Sequence, residues 1–188
     1  MEPKSLFERA VEASRWLNRI EPEQIDRVLL SVADAAERRS DDILAANRED
    51  LARKDPSDPM YDRLQLTPER IAGIAADMRN VASLPSPLGL TLDERMRPNG
   101  MKIRKVSVPF GVIGVIYEAR PNVGFDVFSL CLKAGSACVL KGGSDARDSN
   151  AAIAELIRDV LRENGFDEHC VTLMPPGREA TTALLEAV

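Results

Sequence analysis

An alternation of short apolar runs with stretches of helical apolar spacing, beginning at Pro109, is the feature that most constrains the fold of this chain. The apolar runs, each of strand length, are 111–117, 137–140 and 171–174. The first is almost continuously apolar, which is the pattern of a strand covered on both faces. Helices between strands at this spacing imply parallel strands with right-handed crossovers. The sequence therefore predicts a β-α-β-α-β-α unit over 109–188, the first half of a nucleotide-binding sheet.

The first 85 residues have the periodicity of helices. In one predicted helix the apolar residues recur at spacings of three and four, namely Ile25, Val28, Leu29, Val32 and Ala36. Thr67, Pro68 and Glu69 begin another helix, as a hydroxyl cap, a first-turn proline and a carboxylate near the positive end. We expect segment 1–85 to pack against the sheet rather than to form a separate domain.

Residues 86–108 have the pattern of a β-hairpin. Two stretches, 90–97 and 101–108, flank Asn99-Gly100, which is a strong short-range signal for a hairpin turn. Side chains alternate along the second arm, as in a ribbon with one exposed face. Because a two-stranded ribbon is marginally stable alone, we expect another domain or another subunit to cover it.

The composition excludes several classes of function. The 25 Lys and Arg against 30 Asp and Glu give a net charge of −5, which argues against a general nucleic-acid binder. Three cysteines do not make a disulfide scaffold, so we expect a cytoplasmic protein. The sequence shows neither a signal peptide nor an apolar stretch of transmembrane length, so no membrane contact is expected. His169 is the only histidine, which argues against a metal site or a histidine-based triad.

Three loops, 117–122, 141–144 and 175–177, are predicted beyond the carboxyl ends of the strands, where ligands of open parallel sheets bind. In the middle loop, two glycines let backbone amides approach a ligand, Lys141 adds a cation and Ser144 adds a hydroxyl. Neither the GxGxxG nor the Walker A fingerprint is present. The loop is therefore interpreted either as a ligand loop or as a flexible connection.

Arg120 and Asn122, in the first loop, each allow two interpretations. The planar guanidinium of Arg120 suits a carboxylate or a phosphate, but a surface arginine held by Pro121 has the same sequence pattern. The side-chain amide of Asn122 suits a developing oxyanion, but an asparagine just before a helix is also a common helix cap.

Longer motifs connect the chain to a known family. The stretches VPFGVIGVIYEARPNV (108–123), SLCLKAG (129–135), LKGGSDA (140–146) and NREDL (47–51) resemble γ-glutamyl phosphate reductases, also called glutamate-5-semialdehyde dehydrogenases. The resemblance covers essentially all 188 residues and extends more distantly to the aldehyde dehydrogenase superfamily. It implies an α/β fold in which N-terminal helices and a β-hairpin pack on a partial Rossmann-like parallel sheet, the aldehyde dehydrogenase-like cofactor domain.

The resemblance also implies a reaction and its substrate. The reaction is the reduction of L-glutamyl 5-phosphate to L-glutamate 5-semialdehyde by NADPH, with release of phosphate, in proline biosynthesis. Arg120 and Asn122 are implied at the mouth of the site, as a contact of the acyl phosphate and as support for the oxyanion. Glutamate 5-kinase is a candidate partner, and the 90–108 hairpin implies a homo-oligomer because the superfamily uses such a ribbon for dimerisation.

The cofactor residues follow from the same resemblance. Lys141 is implied to meet the adenosine ribose hydroxyls, and three glycines complete the cofactor loops, namely Gly142, Gly143 and Gly177. Ser144 stands where NAD-preferring aldehyde dehydrogenases usually carry a glutamate, which fits NADP because a hydroxyl can donate to a 2′-phosphate. The adjacent Asp145 argues mildly against that preference.

One departure from the family concerns the nucleophile. The family's catalytic cysteine belongs to a separate domain, and Cys131, Cys138 and Cys170 do not stand at its motif. We therefore expect this chain to be the N-terminal part of the enzyme, without the catalytic domain and inactive alone. The alternative is a non-catalytic nucleotide-binding or interaction module on the same scaffold. A third interpretation is another aldehyde dehydrogenase relative that acts on a different activated acid. The match of the YEARPNV motif to γ-glutamyl phosphate reductases argues against it.

Overall fold

The computed structural model describes residues 3–118 and 120–187. The helices in that part are α1 (Pro3–Leu17), α2 (Pro22–Arg38), α3 (Ser40–Ala52), α4 (Tyr61–Leu64), α5 (Pro68–Ser83), α6 (Val123–Lys133), α7 (Arg147–Glu163) and α8 (Arg178–Leu185). The strands are β1 (Thr91–Met96), β2 (Lys102–Val106), β3 (Val112–Ile116), β4 (Ala137–Lys141) and β5 (Val171–Leu173). Two short 3₁₀ helices, Ser144–Ala146 and Glu168–Cys170, lead into α7 and β5.

A parallel sheet with the strand order β3-β4-β5 forms the centre of the α/β part, which confirms the predicted fold class. Val112 pairs with Ala137 at the start of the β3–β4 ladder, and Cys138 pairs with Val171 in the β4–β5 ladder. Helices α6 and α7 connect the strands, as the alternation of the sequence predicts. All five residues of β4 are buried, because β4 is paired on both sides and covered on both faces.

Strand β3 is less covered than its sequence predicts. Gly114 and Ile116 are exposed although the strand lies within a nearly continuous apolar run. Within residues 3–118 and 120–187, β3 pairs with β4 alone, so its other edge has no strand beside it. The apolar sequence therefore corresponds to an uncovered edge in this chain.

The core joins the N-terminal helices to the sheet. One cluster of buried apolar residues combines side chains of α2 and α5 with those of α6, α7 and β4. Phe125 and Phe128 of α6 are at most 1% exposed, and burying each aromatic ring contributes about 2 kcal/mol. Trp16 packs edge-on against Phe166 with a centroid separation of 5.1 Å, as expected for a core residue. None of the helices in the described part is both long and apolar enough to cross a membrane.

Local sequence signals determine where the helices begin. The Thr67 hydroxyl accepts a hydrogen bond from the backbone N–H of Arg70 at 3.2 Å, which caps α5. Proline stands in the first turn of both α2 and α5, where a missing N–H costs nothing. The start of α5 agrees with the sequence prediction.

The hairpin of β1 and β2 projects from the rest of the chain. Met96 pairs with Lys102 and Thr91 pairs with Val106, with a bulge between Thr91 and Asp93. Every residue of both strands is exposed, so neither face of the ribbon is buried by residues of the described chain. The apolar side chains of this region are exposed by 40% or more, namely Leu90, Leu92, Met96, Met101, Ile103, Val106, Val108 and Phe110.

Candidate nucleotide and substrate site

The three loops predicted to bind ligands lie at one edge of the sheet. The backbone N–H of Tyr117, just after β3, donates to the carbonyl of Lys141 at 3.0 Å. The N–H of Met174, just after β5, donates to the carbonyl of Leu140 at 2.8 Å. The carboxyl ends of the three strands are therefore aligned, and the loops that follow them share the edge at which open parallel sheets bind ligands.

Lys141 ends β4 with a buried side chain. It is 6% exposed, and its ammonium donates to the carbonyl of the adjacent Gly142 at 2.8 Å. One of its three N–H donors is thereby used inside the loop, which leaves the others for a ligand. The cation predicted for this loop is present, but it is held by the loop itself.

Gly142 is required by a close approach of neighbouring side chains. A Cβ at this position would lie 2.2 Å from Asn150 Nδ2 and 3.4 Å from the Tyr117 ring. The Tyr117 hydroxyl donates to Asn150 Oδ1 at 3.2 Å, which fixes that amide against the loop. Burial raises the pKa of Tyr117, so the phenol stays neutral and remains a donor. Glycine is therefore required at position 142 because the side chains of Asn150 and Tyr117 pack closely against it.

Ser144 is exposed, whereas its acidic neighbour Asp145 is paired. Lys54 of α3 contacts Asp145 at 2.8 Å and Asp58 at 2.9 Å. Hydrogen bonds to these carboxylates raise the pKa of Lys54 to about 12. The charge of Asp145 is therefore partly neutralised by a residue nearly a hundred positions earlier. Arg147, which the sequence reasoning did not single out, begins α7 with an exposed guanidinium whose Nε lies 3.4 Å from the Asp148 carboxylate.

The amino end of α7 is occupied by a carboxylate of the chain itself. Asp50 of α3 is 1% exposed and accepts the backbone N–H of Asp148 at 3.1 Å and that of Ser149 at 2.7 Å. It also accepts the Ser149 hydroxyl at 2.6 Å, while Asn47 donates to the same hydroxyl at 3.0 Å. Free amides at a helix amino terminus bind phosphate, but these amides already have an anionic partner. Through Asn47 and Asp50, the NREDL motif therefore fixes the amino end of α7, next to the 141–144 loop.

The third loop presents a glycine in an unusual conformation. Gly177 precedes α8 with φ 123° and ψ 161°, a backbone geometry that side-chain-bearing residues rarely adopt. A Cβ there would meet no atom within 4 Å, so the backbone angle alone requires the glycine. A small cavity of about 30 Å³ lies between Pro176 and the Gly142-Gly143 turn. It is too small for a nucleotide base, so a dinucleotide would lie over the outer surface of these loops.

Arg120 and Asn122, after β3, line a larger cavity of about 350 Å³ opposite the α4–α5 segment. Asn122 precedes α6 but does not cap it through its side chain. Its amide instead donates to the Asp126 carboxylate at 2.9 Å. Arg63 and Asp77 belong to the opposite wall. Sequence reasoning missed both, because nothing in a helical segment indicates which exposed charges face a distant loop.

The three cysteines are buried. A hydrogen bond shared by Cys131 and Cys138 raises the pKa of Cys138, as does its complete burial, and lowers that of Cys131. Burial also raises the pKa of Cys170. None of these thiols faces the loops at the carboxyl edge with the exposure that a nucleophile needs. In the described part of the chain, no group of three or more metal-ligating side chains is close enough to hold a metal ion.

Comparisons with known proteins agree with this geometry, although no family model matches the chain. A γ-glutamyl phosphate reductase of Bacteroides thetaiotaomicron is 60% identical over 181 residues, which are 96% of this chain and 43% of that protein. One of Parabacteroides distasonis is 55% identical over 188 residues, or 100% of this chain and 45% of that protein. The chain thus spans less than half the length of these curated relatives.

Solved structures give the same result. The crystal structure of γ-glutamyl phosphate reductase from Thermotoga maritima superposes with a TM-score of 0.95 at 32% identity, over 100% of this chain and 46% of that one. The enzyme of Saccharomyces cerevisiae superposes with a TM-score of 0.86 at 26% identity, over 93% of this chain and 46% of that one. A probable aldehyde dehydrogenase from Listeria monocytogenes, at 17% identity and a TM-score of 0.76 over 98% of this chain and 39% of that one, shares the fold. The resemblance predicted from the sequence is confirmed: over nearly its whole length, this chain is homologous to a segment, under half the total, of γ-glutamyl phosphate reductases.

Proposed function

We propose that this chain is the dinucleotide-binding part of an NADPH-dependent γ-glutamyl phosphate reductase. The enzyme reduces L-glutamyl 5-phosphate to L-glutamate 5-semialdehyde and releases phosphate, in cytoplasmic proline biosynthesis. The observation that carries the proposal is the identity of 55–60% to these reductases over nearly the whole chain. The loops that carry the family-like motifs lie at the carboxyl edge of the sheet, where a ligand of this fold would bind.

The residues at the carboxyl edge fit a phosphorylated dinucleotide. Lys141 retains N–H donors for ribose hydroxyls, and exposed Ser144 and Arg147 offer a hydroxyl and a cation to a 2′-phosphate. The nearby carboxylates do not oppose this, because Asp145 is paired with Lys54 and Asp148 with Arg53. The amides before α8, around Gly177, remain for the pyrophosphate, since those of α7 are bound to Asp50. When bound, NADPH supplies the hydride.

Arg120 and Asn122 serve the acyl phosphate. The guanidinium of Arg120 binds phosphate oxygens and neutralises the charge that accumulates as phosphate leaves. The Asn122 amide has one N–H engaged by Asp126, which leaves the other available for the acyl oxygen. The thiolate that displaces phosphate comes from the part of the relatives that this chain does not span, because the cysteines present here are buried. A homo-oligomer formed through the 90–108 hairpin and a contact with glutamate 5-kinase complete the proposal.

The experiment is a titration of this chain with NADP⁺ and NAD⁺ by calorimetry. Ser144→Glu is exposed and should leave the fold intact, while it should weaken NADP⁺ binding at least about tenfold because the new carboxylate repels the 2′-phosphate. NAD⁺ binding should not fall. Ala45→Glu, which adds the same charge on an exposed position of α3, is the matched control.

Two results would contradict the proposal. Equal NADP⁺ affinity in wild type, Ser144→Glu and Lys141→Ala would remove the loop from the cofactor site. The second result would be reduction of NADP⁺ by this chain alone, in an assay that contains L-glutamate 5-semialdehyde and phosphate. It would contradict the statement that this chain lacks the catalytic nucleophile. The alternative function, a non-catalytic nucleotide-binding module, is separated by joining this chain to the remaining segment of a relative: only the reductase gains turnover.

A further inference from the structure

The cavity between the α4–α5 segment and the loop after β3 has a volume of about 350 Å³, within the range of small-molecule sites. Its floor includes the buried side chains of Leu66 and Ile74, and its rim is charged. Arg120 and Asn122, which the proposed function assigns to the acyl phosphate, form only one of its walls. The opposite wall belongs to residues with no role in that assignment.

The guanidinium groups around the cavity differ in how they are satisfied. Arg70 is held by the chain itself, since it donates to the carbonyls of Asp62 and Gln65 at 2.6 Å and to the Asp62 carboxylate at 2.8 Å. Arg63 and Arg120 form no ion pair with any carboxylate of residues 3–118 and 120–187. Two cations therefore remain for an anionic ligand, while Arg70 fixes the turn that carries Arg63.

An acidic side chain lines the same cavity as these cations. Asp77 of α5 lines the cavity and forms no ion pair within the described chain. It also lines a neighbouring, mainly apolar cavity of about 190 Å³ together with Asp126 of α6. Burial and, to a lesser extent, the charge of Asp77 raise the pKa of Asp126, whereas its hydrogen bond with Asn122 lowers it. Two carboxylates thus approach each other beside the cavity with no cation of their own.

Gly73 gives an independent indication that this space is kept open. It lies within α5 and lines the cavity, and a Cβ there would meet no atom within 4 Å. Neither packing nor a left-handed backbone requires glycine at this position, where alanine would favour the helix. The glycine does, however, leave the cavity free of a side chain.

We propose that this cavity binds the α-amino-acid end of the glutamyl substrate, with Arg63 contacting the α-carboxylate and Asp77 the α-ammonium group. Arg120 and Asn122 then hold the other end of the same molecule, the acyl phosphate. The opposite charges of Arg63 and Asp77 match a zwitterion, and a simple acyl phosphate would leave both of these side chains without a partner. The proposal rests on the proposed function and adds the residues that select an amino acid.

The test uses stable phosphonates that differ only at the α-carbon, titrated into this chain by calorimetry or NMR. L-2-amino-5-phosphonopentanoate carries both head groups, 5-phosphonopentanoate lacks the ammonium group, and 4-aminobutylphosphonate lacks the carboxylate. The complete compound should bind about tenfold more tightly than either of the others, which corresponds to one charge-assisted contact.

Substitutions then assign the preference to individual residues. Asp77→Asn should abolish the preference for the ammonium group, and Arg63→Gln should abolish the preference for the carboxylate. Gly73→Leu should weaken all three compounds at least tenfold while Tm is unchanged or higher, because leucine favours the helix and fills the cavity. Asp41→Asn and Arg15→Gln, on exposed positions of α3 and α1, should change neither affinity nor preference.

The outcomes separate this proposal from the proposed function. A wild-type chain that binds the three compounds equally, or binds none at millimolar concentration, overturns the head-group site. Retention of the full ammonium preference in Asp77→Asn overturns it too. NADP⁺ titrations of the same variants report on the cofactor loop alone, so loss of NADP⁺ binding in wild type would refute the proposed function instead.

Discussion

Asp50 connects the N-terminal helices to the amino end of α7 through a single carboxylate. We expect Asp50→Ala to lower the free energy of unfolding by about 3 kcal/mol, because the N–H groups of Asp148 and Ser149 would lose their buried acceptor. Urea denaturation measures this change. NADP⁺ affinity should also fall, since the residues after Ser144 would lose their support.

The exposed Asp41, on the same helix, is the control for that change. Asp41→Ala should lower the free energy of unfolding by less than about 1 kcal/mol, since only a favourable charge near the amino end of α3 is lost. Equal costs for the two substitutions would mean that Asp50 does not hold the amino end of α7.

Asp126 gives the chain a pH dependence of defined sign. Burial raises its pKa above the ordinary value of 3.8, so the folded state favours the neutral carboxyl. Its contribution to stability is therefore complete below pH 3.8 and is lost as the pH rises through the raised pKa. Asp126→Asn, which stays neutral and still accepts from Asn122, should be more stable than wild type at neutral pH. Denaturation curves at several pH values check this, and a constant difference across the range would contradict it.

At the residue scale, the sequence predicted groups that lie next to one another in the chain. Ser144 and Gly177 are placed at the loops as the motifs indicated. Lys141 is also at its strand end, but its ammonium is turned into the loop because Gly142 offers a carbonyl at 2.8 Å. Arg63 and Asp77 were beyond prediction, since their relation to Arg120 arises only when the α4–α5 segment packs against the loop after β3.

The hairpin of β1 and β2 exposes several apolar side chains. We expect Leu92→Lys combined with Ile103→Lys to weaken self-association at least tenfold while leaving the Tm nearly unchanged, because both side chains are exposed, by 59% and 40%. Sedimentation over a range of concentrations measures this. Leu30→Lys, which changes a 42% exposed leucine of α2, should leave association as it was.

At the element scale, most boundaries of helices and strands could be predicted from the sequence, whereas the burial of their faces could not. Asn99-Gly100 and the Thr67-Pro68 cap placed the turn and the helix start correctly, since such signals act within a few residues. The apolar run of β3 predicted burial on both faces, yet Ile116 is 44% exposed. The apolar pattern of a strand indicates that its faces are suited to burial, but it does not say which residues cover them. For β3, the described chain does not contain all of the covering residues.

The whole chain exposes a second apolar surface along β3. A cavity of about 470 Å³ beside this strand is lined mainly by apolar side chains of α1, β3 and α8. An open strand edge next to such a surface promotes pairing with another chain. We therefore expect this chain to self-associate with rising concentration. Light scattering that shows a monomer at all concentrations would contradict this.

Ile116→Lys is the matching substitution at that edge. It places a charge on a 44% exposed position without disturbing β4, so it should reduce association that remains after the hairpin is changed. If the hairpin double variant alone already gives a monomer, the β3 edge does not contribute.

The bond between Asp50 and Ser149 spans 99 positions of the sequence, which sets an order of events during synthesis. The ribosome releases α3 long before the amino end of α7, so the carboxylate has already been synthesised when its partners emerge. The loop can then adopt its final shape as soon as it is made, ahead of any nucleotide. In a nascent polypeptide with a defect in α3, the turn before α7 would instead remain unformed during the later steps of folding.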